Sequence, residues 1–193
     1  MARADRVVLS VTALGDLEGR APVLRSGARP GDLVLLAGRV GESAAGCALL
    51  ASGDAGLIEQ FADLVAAHRA PSPPYESGPA LSQLGATAMI DVSDGLSSEL
   101  HHLAGASGVA IGVEDIVPSA RLSAAASALG VDAREWVQHG GEDHALLATV
   151  PPEHASAAAA WTRCIGVVAA GAGVTMAGQP VAARGWDHFR GGA

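Results

Sequence analysis

The spacing of apolar residues switches repeatedly between continuous β-like runs and helical stripes. Residues 6–14, RVVLSVTAL, are β-branched and apolar and predict a strand that starts almost at the first residue, as though the chain began mid-fold. A Pro-Gly-Asp turn precedes a predicted strand at Leu33–Ala37, and GRVGES leads into an Ala/Leu helix near 43–52. A second helix is predicted over 56–68. It is followed by APSPPYESGP, whose four prolines predict a stiff loop.

ATAMIDV then predicts a buried strand, SDG a turn, and LSSELHHLAGAS a helix with Leu96, Leu100 and Leu103 on one face. Further strands are predicted at 109–113, in HALLATV and in CIGVVA, with a hairpin around Ala177–Pro180. LSAAASALG, DAREWVQ and the segment opened by Pro151-Pro152 read as helices. Strands and helices interleave irregularly, which predicts an α+β fold, a mixed β-sheet layered with α-helices. No repeat of tens of residues is visible.

A length of 193 residues suits one compact domain, with room for a fragment of a second. Half the chain is apolar, but much of that is alanine, so the predicted core is tight and poor in aromatics. Twenty acidic against twelve basic residues give a net charge of -8. That balance argues against nucleic-acid and anionic-membrane surfaces and suits a protein that recruits cations. Every basic residue is arginine, which excludes a Walker lysine, a Schiff-base lysine and a lysine general base. Cys47 and Cys164 form no CxxC pair, and no signal-like or membrane-spanning segment is apparent. These features predict a cytoplasmic protein.

Two acidic clusters carry the chemistry. In DVSDG, at a predicted strand-to-helix corner, alternation turns Asp91 and Ser93 to one side, and Asp94 reaches round from the helix start. Like charges so close are tolerated when a cation lies between them, and an all-oxygen donor set favours Mg²⁺ or Ca²⁺ over zinc. The alternative is that Ser93 or Asp94 caps the helix. In HGGED, two glycines permit close backbone approach while Glu142 and Asp143 supply charge; the alternative is a polar hairpin entry. His139 and His144 lack the helical HExxH spacing of a zinc site, and His101 and His102 read as surface residues. Arg25 and Arg29 flank a turn and suit phosphate or a surface ion pair. GRVGES is a weak phosphate-cradle motif, and Trp186 in the tail suits stacking on a flat ligand or plugging a core.

In this order, SVTALGD, RSGARPGD, GESAAGCALL, AMIDVSDGL, HGGEDHALLATVPP and GWDHF resemble the thiamine-monophosphate kinases, members of the superfamily of aminoimidazole-ribotide-synthetase-like ATP enzymes. The resemblance implies the fold of that synthetase's C-terminal domain. It implies that residues 1–22 are the last strand and linker of a missing N-terminal ATP- and magnesium-binding domain, with 23–193 the C-terminal domain. It implies transfer of the ATP γ-phosphoryl group to thiamine monophosphate, several Mg²⁺ ions, a homodimer, and no activity from this chain alone. Residue by residue, Asp91 and Asp94 match metal ligands, and Ser93 and Arg25 match ATP contacts. Glu142 and Trp186 match contacts to the thiamine moiety. His144 stands where the family often has tyrosine. The alternatives are another enzyme of the superfamily, such as selenide water dikinase, or a non-catalytic magnesium- or nucleotide-binding or interaction domain.

Overall fold

The computed structural model describes residue 7 and residues 9–185. One seven-stranded mixed sheet organises it. The strands are β1 (Leu33–Ala37), β2 (Ala88–Val92), β3 (Ala110–Val113), β4 (Ala145–Val150), β5 (Arg163–Ala169), β6 (Gly173–Met176) and β7 (Gln179–Pro180), in the order β2-β4-β1-β5-β3-β6-β7. Neighbours are antiparallel except β3 and β6, which are parallel. The fold is the expected α+β arrangement.

Period-two alternation separates two cores. Val34 and Leu36 of β1 and Ala145 and Leu147 of β4 face the larger one. There they meet helices α1 (Glu42–Ser52), α3 (Ala62–Arg69), α5 (Leu96–Ser107), α6 (Ala120–Leu129) and α7 (Ala133–His139), which supply Leu49, Leu64, Leu100, Leu103, Leu122 and Val137. Leu35, Ala148 and Val150 point the other way, to Leu81 of α4 (Ser77–Gln83) and Ala158 of α8 (Pro152–Ala158). Among the described residues no helix is long and apolar enough to cross a membrane.

Three expectations change. Within the predicted strand over 6–14 the described residues join no ladder, and Leu9, Val11 and Leu14 are exposed. The helix predicted over 56–68 is two, α2 (Ala55–Gln60) and α3, broken at Phe61 (φ -112°, ψ 36°). Phe61 is buried, and the Arg121 guanidinium lies 4.5 Å from its ring centroid. Finally, α4 begins inside the predicted proline loop. Pro79 is tolerated because it occupies the first turn, where a backbone N–H has no partner to lose.

The topology places the chemistry. Strands β1 and β2 run in the same direction on either side of antiparallel β4. The end of β2 (DVSDG), the start of β4 (GGED) and the end of β1 (GRVGES) therefore meet at one edge of the sheet.

Candidate active-site corner at the end of strand β2

Asp91 and Val92 end β2, Val92 buried and Asp91 exposed, while Ser93 and Asp94 are half-buried beyond it. Gly95 precedes α5 with φ 128°, a conformation open to glycine, and no side chain caps this helix. The capping alternative for Ser93 and Asp94 therefore fails: neither side chain is used on the helix it precedes. The Ser93 hydroxyl makes no hydrogen bond to a described residue.

The GGED loop is laid against this corner. The Glu142 N–H donates to Ser93 O at 2.7 Å, and the His144 N–H donates to Val92 O at 2.9 Å. Gly141 sits so close that an added Cβ would lie 2.5 Å from Ser93 O, which explains the glycine. Glu142 is held at φ 66° and His144 at φ 51°, a left-handed conformation rare for non-glycine residues. Glu142 projects outward from this clamped loop, exposed, with His144 Nε2 3.7 Å from its carboxylate.

Asp143 does the clamping. Its carboxylate accepts the N–H groups of Gly41 at 2.6 Å and Ser43 at 2.9 Å, supplying the N-terminal cap that Gly41 cannot give α1. Two of the amides that made GRVGES a possible phosphate cradle, those of Gly41 and Ser43, are thus already taken. Burial pushes the Asp143 carboxyl up to about 6; the Ser43 and Gly41 N–H groups oppose this.

Arg25 is exposed, on a segment that runs along β2 on the side away from β4, and its charge is felt at Glu99. Leu24 O accepts the Met89 N–H at 3.0 Å, so this segment borders the edge strand. The Ser107 hydroxyl at the end of α5 donates to Arg25 O and accepts the Gly27 and Ala28 N–H groups. Arg29 is exposed; its N–H donates to Asp32, a buried acid that also accepts from Thr87.

Two residues escaped the sequence reading. Glu99 is 3% exposed, one turn into α5, and accepts the Asp94 N–H at 3.3 Å. Burial pushes its carboxyl up to about 7; the charges of Asp94 and Asp91 add to the rise, and the Asp94 N–H and Arg25 oppose it. The detectable signal was its place beside Leu96, Leu100 and Leu103, an acid at the border of an apolar stripe. Ser97 was the other. Its fully buried hydroxyl meets His139 and the backbone of Arg184. Trp186, expected at the site, lies outside the described residues. His139 is engaged by Ser97 through Nδ1.

As a cation site the corner is partial. Asp91 and Asp94 offer hard oxygen donors, but no three His, Cys, Asp or Glu residues converge as a metal cage among the described residues. Two carboxylates fit Mg²⁺, which commonly takes one or two from a protein and the rest from phosphate and water.

The architecture is shared with hydrogenase maturation protein HypE in complex with ATP, at a TM-score of 0.59 and 18% identity over 87% of this chain and 54% of that one; this likeness defines the aminoimidazole-ribotide-synthetase-like fold class. The structure of AaThiL complexed with AMPPCP and TMP is nearer, with a TM-score of 0.77 and 34% identity over 86% of this chain and 54% of that one. No family model matches the chain. The thiamine-monophosphate kinase of Mycobacterium tuberculosis is 54% identical over 144 residues, 73% of this chain and 42% of that protein. That of Halobacterium salinarum is 41% identical over 93% of this chain and 60% of its own length. The chain is a homologue of the thiamine-monophosphate kinases and spans about half the length of these relatives.

Proposed function

We propose that this chain supplies one wall of the active site of a thiamine-monophosphate kinase, a cytoplasmic enzyme that transfers the γ-phosphoryl group of ATP to the phosphate of thiamine monophosphate, giving thiamine diphosphate. The observation that carries the reading is the β2–α5 corner. Asp91, Ser93 and Asp94 are left free of helix capping there, and Glu142 is delivered to the same edge by a clamped loop. The neighbour that holds AMPPCP and TMP supports the substrate pair.

In this reading Asp91 and Asp94 hold magnesium, which when bound offsets the charge gathering on the polyphosphate. Ser93 and Arg25 face ATP, the hydroxyl as a donor to a phosphate oxygen and the guanidinium as a fixed positive charge beside two carboxylates. Glu142 and Trp186 face the thiamine moiety, Glu142 by attraction to its positive ring and Trp186 by stacking. Donor and acceptor are both anions, so the chain's contribution is orientation and charge balance. Residues 1–22 lead toward the remaining ligands, their strand completed only by that remainder, in a homodimer, and turnover requires it.

A chimera tests this: the matching segment of the Mycobacterium tuberculosis kinase is replaced by this chain. Expected are magnesium- and ATP-dependent formation of thiamine diphosphate by the chimera and none by the chain alone. A folded chimera without turnover would favour a non-catalytic binding domain.

A further inference from the structure

We propose that Ser97 and His139 are positioning residues that latch the segment at Arg184 and Gly185 against the β2–α5 corner; the substrate consequence drawn below rests on the kinase reading above. Ser97 sits in the first turn of α5, where a serine ordinarily bonds locally. Its hydroxyl, 0% exposed, instead lies 2.6 Å from Arg184 O, 87 residues away, and 2.7 Å from His139 Nδ1. The Arg184 N–H also donates toward it, at 3.3 Å.

Proton counting fixes the roles. The hydroxyl has one hydrogen, and Arg184 O can only accept, so Ser97 donates to Arg184 O. The contact with His139 is then satisfied only if His139 donates from Nδ1. Burial, aided by the Arg184 charge, holds the His139 pKa below its ordinary value, so the donor is the neutral Nδ1–H tautomer.

The tail is gripped from a second direction. The Arg184 guanidinium bonds both oxygens of Glu135 on α7, at 2.8 and 3.4 Å. Gly185 then passes so near Asp94 O and the Ser98 side chain that any Cβ would collide. Each latch residue stands within three positions of a proposed substrate or metal contact: Ser97 after Asp94, His139 before Glu142, and Arg184 before Trp186. One buried hydroxyl therefore joins the corner, the GGED loop and the tail. Of the groups so joined, Glu142 and the tail are those the kinase reading assigns to the thiamine phosphate, so that substrate's affinity is expected to respond more than that of ATP.

Hydrogen–deuterium exchange on the chain itself reads the latch directly. Ser97→Ala and His139→Ala should speed exchange of the Arg184 and Gly185 amides about tenfold, the loss of roughly one hydrogen bond, while β1 and β4 amides stay protected. His139→Asn, whose amide N–H can replace the Nδ1–H, should restore slow exchange. Unchanged tail exchange in both alanine variants, with the sheet protected, would overturn the latch. In the chimera, Ser97→Ala should raise KM for thiamine monophosphate about tenfold and leave that for ATP within about twofold. Faster tail exchange with both KM values unmoved would overturn the substrate role, and an inactive parent chimera would point to the kinase reading instead, leaving the exchange result to decide the latch.

Discussion

Asp143 and Ser43 are joined across 100 residues of sequence by a 2.9 Å hydrogen bond from the Ser43 amide to the Asp143 carboxylate. One acid thus caps a helix and immobilises the loop that carries Glu142. Asp143→Ala leaves the Gly41 and Ser43 amides without their acceptor, and we expect a loss of about 1–2 kcal/mol in urea denaturation. Glu142→Ala, at an exposed position, should change stability by less than about 0.5 kcal/mol. Equal losses from the two would mean that Asp143 does not hold the cap.

Glu99 makes the metal-free chain pH-sensitive. A carboxyl raised from 4.5 to about 7 by folding contributes stability that is complete below about pH 4.5 and is lost as pH rises through 7. A difference of that size corresponds to roughly 3 kcal/mol. Asp143, raised to about 6, acts in the same direction over a lower window. Glu99→Gln removes the ionisation and keeps an acceptor for the Asp94 N–H. Melting without metal should find it more stable than the parent at pH 8 and equal to it at pH 4. A variant less stable at both values would mean that the charged form is favoured in the fold.

Much of this was legible in the sequence, and the exceptions have physical causes. Strands β1 and β4 are buried apolar runs and β2 and β5 partly buried ones, all between clear turn signals, and DVSDG and GGED announce themselves by charge and glycine. The break at Phe61 was hidden because Leu57, Phe61, Leu64 and Val65 keep helical spacing through it. Helix α4 was hidden by prolines that happen to fall at and before its first turn. RVVLSVTAL has strand composition, but a strand also needs a partner, and composition is silent about that. Asp143 and Ser97 act on residues about a hundred positions away, a relationship that spacing along the chain does not encode.

Asp91→Asn and Asp94→Asn should leave metal-free stability unchanged or raised, because neither side chain caps α5 and each substitution removes a charge from the neighbourhood of buried Glu99. In the chimera each should raise the magnesium concentration needed for half-maximal rate by about tenfold or more. Melting curves without metal and rate titrations against Mg²⁺ check both halves. A destabilised variant with unaltered magnesium dependence would restore a purely structural role.

Glu142 separates stability from function at a single position. Its φ of 66° costs an L-residue about 1–2 kcal/mol relative to glycine, whereas glycine loses about 0.5–1 kcal/mol more backbone entropy on folding. The balance predicts that Glu142→Gly is as stable as the parent or up to about 1.5 kcal/mol more so. A residue kept in a strained conformation at no benefit to the fold is expected where its side chain has other work, which the proposed function gives as facing the thiamine moiety. In the chimera, Glu142→Gly should therefore raise KM for thiamine monophosphate about tenfold while KM for ATP holds. Glu142→Gln, which keeps the strain and removes only the charge, should raise the same KM with no gain in stability. If Glu142→Gly were instead destabilised by more than about 1 kcal/mol with both KM values unchanged, the loop geometry would be serving the fold, and the assignment of Glu142 to the substrate would be wrong.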